Sequence, residues 1–239
     1  MNAQGSEMVV RPAPAEALGQ RLLAGSTGPR VGGLTPLTTV DYPGELAAVV
    51  FFQGCPFRCS YCHNGHLIPV HGADLIPWGQ VLEFLEARRG LLDAVVFSGG
   101  EPTLQPALGS AMTEVRRLGY KIGLHTAGPY PVRLRRVLHL LDWVGLDIKA
   151  LAEDYPEVTG VPGSGERAWE SLELLLRSRV GLQVRTTPMP GLDGPAYLER
   201  LAARLAEAGV REHLIQTCRT EHLADPGSVG LRSQETRPS

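Results

Sequence analysis

Cysteine is scarce in this chain: four in 239 residues, three of them between Cys55 and Cys62. So few thiols, so bunched, exclude a disulfide framework and imply no oxidising compartment. Long apolar runs are missing too. No stretch approaches the roughly 18 residues that a membrane span needs, and Met1-Asn2-Ala3-Gln4-Gly5-Ser6-Glu7 lacks a basic segment followed by a long apolar one. A soluble, cytoplasmic protein without a membrane partner is expected. Nor is there an excess of charge of one sign. The formal charge is −2, and basic residues cluster only briefly, as at Arg133-Leu134-Arg135-Arg136, so no nucleic acid is expected as a partner. No fixed-period repeat longer than a β-α unit is found.

What remains is one sizeable core, with 43% hydrophobic residues. Residues 1–30 mix Pro, Ala, Gly and Ser and read as a flexible tail with a helical turn or two at Ala17–Leu23. Residues 221–239 read as a second flexible tail, rich in Gly, Pro, Ser and charge from Asp225 on. Between them, short apolar runs mark six strands: Leu46–Phe52, Ala94–Ser98, Lys121–Thr126, Trp143–Ile148, Leu182–Thr186 and His213–Thr217. Apolar residues at i, i+3, i+4, i+7 mark the helices between. The stripes begin at Trp78, Leu108, Leu134 and Leu198, with a further apolar helix over Ala168–Leu176 and Gly119 placed to cap the second. Alternating β and α units with near-continuous apolar strands predict an α/β fold with a parallel sheet. Six units fall short of a closed eight-stranded barrel. The expected architecture is an incomplete (β/α)6 barrel with parallel strands and a side opening, and a doubly wound open sheet stays possible. Either puts chemistry at the strand C-termini.

The first strand runs into Gly54-Cys55-Pro56-Phe57-Arg58-Cys59-Ser60-Tyr61-Cys62, a C-x3-C-x2-C spacing. A cubane iron–sulfur cluster held by three thiolates leaves one iron open to a further ligand. Zinc would need a fourth ligand, for which Cys218, His63 and His66 are candidates, and structural cysteines are a third possibility. Phe57 and Tyr61 either shield a cluster or simply pack in the core. Further strand ends carry polar residues. Gly99-Gly100-Glu101 combines a permissive turn with a carboxylate able to accept from an ammonium. Asp147 and Lys149 fall on one face by the period of two, as cofactor contacts or as a buried ion pair. His125 and Thr126 close the third strand, and His125 reads as a hydrogen-bonded strand-end histidine. Arg185 and Thr186 close the fifth, with a guanidinium suited to a carboxylate or a ribose. Gln216 ends the last strand, and Cys218 reads as a small buried hydrophobe.

Cys55-x3-Cys59-x2-Cys62 followed by Ser98-Gly99-Gly100-Glu101-Pro102 resembles the radical S-adenosylmethionine superfamily. Thr39-Val40-Asp41-Tyr42-Pro43-Gly44, Tyr61-Cys62-His63-Asn64, Asp147-Ile148-Lys149-Ala150, Tyr155-Pro156-Glu157-Val158-Thr159-Gly160 and Arg185-Thr186-Thr187 are similar to runs in the anaerobic ribonucleoside-triphosphate reductase activating proteins, which install glycyl radicals. The resemblance implies a radical S-adenosylmethionine domain over 31–220, with one [4Fe-4S] cluster on Cys55, Cys59 and Cys62. It implies cofactor contacts from Tyr61, His63, Gly99, Gly100, Glu101, Thr126, Asp147, Lys149 and Arg185, with Glu101's turn at the methionyl amino group. It further implies an oxidoreductase in which reductive cleavage of S-adenosyl-L-methionine yields a 5′-deoxyadenosyl radical. That radical takes an α-hydrogen from a glycine of a glycyl radical enzyme, here anaerobic ribonucleotide reductase, with flavodoxin or ferredoxin as the one-electron donor. No protein residue is implied as a catalyst beyond the cluster and cofactor. His125-Thr126-Ala127-Gly128 departs from the Asp-Thr-Asn-Gly common in activases, which weakens any cation site shared with Asp147. Two rival functions stay open here: a radical S-adenosylmethionine enzyme acting on another peptide or small molecule, and a non-catalytic zinc-binding module.

Overall fold

The computed structural model describes residues 28–217. The turn expected at Ala17–Leu23, the C-terminal tail and Cys218 lie outside the described residues.

The chain opens with β1 (Val31–Thr38) and β2 (Ala47–Phe52), then α1 (Trp78–Glu86), β3 (Ala94–Gly99), α2 (Leu108–Arg117) and β4 (Lys121–Thr126). It continues through α3 (Pro131–Val137), β5 (Trp143–Asp147), α4 (Tyr155–Thr159), α5 (Ser164–Leu176), β6 (Gly181–Thr186), α6 (Pro195–Glu207) and β7 (His213–Ile215). All six expected strands are present, Lys121–Thr126 unchanged and the others with ends shifted by one or two residues. The sheet runs β1 to β7 in strict chain order, parallel from β2 onward, and no pairing joins β1 to β7 among the described residues. A doubly wound sheet would reverse its order at a switch point. This one does not, so the unclosed barrel stands.

β1 is the strand that pattern reading missed. It pairs antiparallel with β2 and has two register irregularities. Gly32, Gly33 and Pro36 are residues that strand rules reject, yet an edge strand tolerates them. Gly32 is needed for space, because a Cβ there would lie 2.4 Å from Leu67 Cδ2 and 2.7 Å from Gln53 Oε1.

Period two divides each strand between two environments. Val50, Phe52, Val95, Phe97, Ile122, Leu124, Val144 and Leu146 face the helices, where Leu85, Met112, Leu134 and Leu172 cover them. Ala47, Val49, Ala94, Val96 and Trp143 face inward and form a second cluster with Tyr42, which stacks on Trp143 at 5.1 Å between ring centroids. Gly123 leaves room for this plug, since its Cβ would sit 3.0 Å from Tyr42 Cδ1. The apolar layer fills the lower barrel. One step further along the same faces come Ser98, His125, Asp147 and Arg185, so the inner surface turns polar at the strand C-termini.

Candidate active site

Above the plug lies a cavity of about 980 Å³. Cys55, Cys59 and Cys62 line one side, and Thr126, Asp147, Lys149 and Arg185 line the strand-end side. Tyr61, His63, Gly99 and Gly100 also line it; Glu101 and His66 do not. Almost every residue picked out from sequence therefore meets in one place.

The cysteine loop is held by backbone. Gly54 N donates to Leu67 O (2.7 Å) and Cys55 N to Ile68 O (3.1 Å), while Gln53 Nε2 donates to the carbonyls of His66 and Pro69. On the other side Gly100 N donates to Phe52 O and Glu101 N to Gly54 O, each at 2.9 Å. A Cβ on Gly99 (φ +120°) would lie 2.2 Å from Phe52 N, and one on Gly100 2.3 Å from Gly54 O. The glycine pair is required because the turn packs directly on the start of the cysteine loop.

Glu101 is buried and turned into the protein. Its Oε1 accepts from Thr103 N, Thr103 Oγ1 and Thr126 Oγ1, and its Oε2 accepts from Ala127 N. Burial still pushes its pKa up, against the pull of these hydrogen bonds. Thr126 Oγ1 in turn accepts from Gly128 N. Glu101 thus stitches the β3 turn to the end of β4.

Across the cavity, Nε and Nη2 of Arg185 both meet Asp147 Oδ1, at 3.0 and 2.9 Å, and Oδ2 receives no hydrogen bond among the described residues. Burial raises the Asp147 carboxyl, but Arg185, then Lys149 and His125, hold it below the ordinary value. Gly145 makes room, since a Cβ there would sit 2.9 Å from Arg185 Cζ and 3.0 Å from His125 Cδ2. His125 Nε2 lies 2.8 Å from Asp41 O. A carbonyl only accepts, so Nε2 carries the proton and the 3.3 Å approach of Arg185 Nη1 is a contact between two donors. Burial, then Arg185, lowers the His125 pKa to about 4. Where a carboxylate would leave room for a bound cation, a neutral imidazole and a guanidinium fill the space.

Lys149 places its ammonium 5.8 Å from the centre of the Tyr61 ring, and its backbone N–H donates to Tyr155 Oη at 2.9 Å. Burial works to lower its pKa, yet Tyr61, Cys59 and Asp147 hold it well above the ordinary value. Lys149 and Lys121 are the only lysines in the chain, and Lys121 sits on the surface beside Glu45.

The three thiols share the cavity wall but, among the described residues, no three His, Cys, Asp or Glu side chains close to the spacing of a single ion. A cubane binds each thiolate to a separate iron, so it asks for a wider triangle than tetrahedral zinc. Burial raises the Cys55 thiol to about 12 and pushes Cys59 up as well, so bare thiolates are disfavoured there. Coordination to a metal removes that penalty outright. The donor set and its surroundings fit an iron–sulfur cluster.

Comparison with known proteins agrees with this chemistry. Residues 49–205 match the model of the Radical SAM superfamily, and the chain belongs to that superfamily. It is 32% identical over 184 residues to the pyruvate formate-lyase-activating enzyme of Clostridium pasteurianum, covering 72% of this chain and 74% of that one. It is 29% identical over 174 residues to the pyruvate formate-lyase 1-activating enzyme of Escherichia coli K12, covering 68% of each. Among solved structures, Streptococcus suis SuiB bound to precursor peptide SuiA has a similar fold, with a TM-score of 0.56 at 14% identity. The match covers 71% of this chain and 39% of SuiB. A [4Fe-4S] cluster and S-adenosylmethionine follow from the family. No helix among the described residues is long and apolar enough to cross a membrane.

Several residues of the site escaped sequence reasoning. Asp41, in the loop between β1 and β2, orients His125 through its carbonyl, and Gln53 and Gln105 brace the cysteine loop. Their signal was weak, because a buried amide looks like any surface polar residue until its carbonyl partners are known.

Two outcomes test this geometry. Glu101→Gln sets an amide NH2 against the Ala127 N–H or the Thr103 N–H, leaving opposed donors buried. The variant loses about 1–3 kcal/mol of stability in urea unfolding, and full retention contradicts the hub. His125 titrates at about 4 folded against 6.5 ordinarily, so the unfolded chain binds the proton more readily between those values. Stability therefore falls as pH drops from 6.5 to 4, and in His125→Gln that part of the slope disappears.

Proposed function

We propose that the chain is a glycyl radical enzyme activase, an oxidoreductase acting in a reducing cytoplasm. Its radical S-adenosylmethionine domain spans 31–220. Cys55, Cys59 and Cys62 would hold the cluster, with S-adenosylmethionine bound beside it in the cavity. Bound together, cluster and cofactor supply one-electron scission of a sulfonium C–S bond and the power to abstract a hydrogen atom.

The chain's own residues bind, orient and keep water out. Lys149, a half-buried ammonium that makes no ion pair among the described residues, is suited to the methionyl carboxylate. Asp147 Oδ2 can accept from an ammonium or a ribose hydroxyl while Oδ1 keeps Arg185 in place. Gly99 and Gly100 offer backbone at the cavity wall, Thr126 closes it, and Tyr61 and His63 stand on the cluster side. Glu101 acts from behind, by setting the turn. Phe51, Phe57 and Tyr61 supply apolar wall within an otherwise polar cavity, which limits water beside a reactive intermediate. No general base is needed.

The observation that carries this reading is the convergence of three thiols, Lys149 and the Asp147–Arg185 pair on one cavity at the C-terminal ends of the strands. The activating-enzyme relatives support a glycyl radical enzyme as partner. The motif runs at 39–44, 147–150 and 155–160 support anaerobic ribonucleotide reductase as that partner, with flavodoxin or ferredoxin as electron donor. Among the described residues no pairing joins β1 to β7, and an opening there would suit entry of a glycine-bearing loop.

The test is anaerobic. Reconstituted, reduced protein is mixed with S-adenosylmethionine and, separately, with the reductase and with pyruvate formate-lyase, each labelled with α-deuterated glycine. Deuterium appears in 5′-deoxyadenosine, with a glycyl signal on the reductase. Transfer only from pyruvate formate-lyase overturns the choice of partner. Cleavage without deuterium transfer from either overturns the activase reading. A colourless protein with zinc and no iron overturns the enzyme. Alanine at any one of the three cysteines abolishes cleavage.

A further inference from the structure

The cavity lies on one side of the cysteine loop. Its other side is basic. Arg58, between two of the cysteines, is exposed and does not line the cavity; its Nη1 donates to Cys55 O (3.1 Å) and Phe57 O (3.0 Å). Arg133 donates to Thr103 O and Leu104 O (3.2 and 2.9 Å), and its guanidinium lies 4.6 Å from the centre of the Tyr130 ring. Arg167 donates to Pro162 O at 3.3 Å.

The three are neighbours. Arg58 N donates to Thr159 O, three residues from Pro162, and Leu104 lies under Gly54 beside Cys55. The Tyr130 phenol is within electrostatic reach of Arg133, Arg167 and Cys55 together. Among the described residues, none of the three guanidiniums makes an ion pair, a property they share with other arginines such as Arg135. Backbone carbonyls fix these groups without neutralising them. A preorganised cluster of three arginines, with Glu157 and Glu166 on the flanking segments but not ion-paired to them, is an electrostatic docking surface.

We propose that Arg58, Arg133 and Arg167 dock an acidic one-electron donor protein, which passes its electron to the cluster across the outer side of the Cys55–Cys62 loop. The inference rests on the cluster reading above. The balance is simple: the donor's reduced flavin or iron–sulfur centre loses one electron, the cluster gains one, and no bond forms or breaks. Entry from this side leaves the cavity to cofactor and substrate. A single layer separates the surface from a cluster ligand, because an exposed guanidinium touches the Cys55 carbonyl.

The experiment uses holoenzyme and an acidic flavodoxin as probe. Binding is titrated with both proteins oxidised, at low and high salt, and cluster reduction by reduced flavodoxin is followed by stopped flow. Arg133→Glu/Arg167→Glu weakens binding and slows reduction on the order of tenfold at low salt, and the difference shrinks at high salt. Arg133→Gln/Arg167→Gln, and Arg58→Gln, fall between the double reversal and wild type. Reduction by photoreduced deazaflavin stays at the wild-type rate in all of them. The control is Arg135→Glu/Arg177→Glu, in a shallow basic groove beside the N-terminal ends of β5 and β6, and it binds as wild type does. Wild-type binding by the first pair, or equal weakening by the control, overturns the docking surface and leaves the functional reading intact if deazaflavin still drives cofactor cleavage. Loss of deazaflavin-driven cleavage in the wild-type protein overturns both.

Discussion

Two carbonyl oxygens, Phe52 O and Gly54 O, hold the two functional loops together. They accept from Gly100 N and Glu101 N, joining the turn after β3 to the start of the cysteine loop with no side chain between. Peptides this close need glycine at 99 and 100. Glu101 extends the splice by binding Thr126 and Ala127 at the end of β4, and Gln105 Nε2 closes it from outside by donating to Gln53 O. Three strand ends and the cysteine loop are thereby tied together. A three-thiolate site on a long loop needs such anchoring, because a cluster binds only if the sulfurs wait in the right triangle.

The barrel interior repeats the same economy in layers. Below, Tyr42 and Trp143 close the floor with an apolar stack. Above, one further step of two residues along β3, β4, β5 and β6 brings Ser98, His125, Asp147 and Arg185 into the cavity. Glycines at 123 and 145 make room for the plug and for the Arg185–His125 contact. The neutral imidazole and the guanidinium set this site apart from one in which a second carboxylate would draw a cation to Asp147. Here the compensating charge is built into β6.

Much of this was legible in the sequence, and the reasons are local. C-x3-C-x2-C on a loop after a strand carries its chemistry in its spacing, and Val- and Ile-rich strands alternating with amphipathic helices specify a parallel sheet. The period of two pointed to Asp147 and Lys149 together, and both line the cavity although β5 ends at Asp147. β1 was not legible, because Gly32, Gly33 and Pro36 mimic a loop and its pairing depends on β2. The inward turn of Glu101 was hidden as well, since a carboxylate at a strand end gives no sign of whether it faces ligand or protein. The brace by Gln53 and Gln105 needs partners far apart in the chain, which composition cannot reveal.

The proposal beneath the rest is that Cys55, Cys59 and Cys62 would hold a cluster with one iron unligated by protein and available to the cofactor. Mössbauer spectra of 57Fe-reconstituted protein, recorded with and without S-adenosylmethionine, test it directly. A single iron site that changes its doublet when the cofactor is added is the predicted result. Iron sites that are all equivalent and indifferent to the cofactor contradict it.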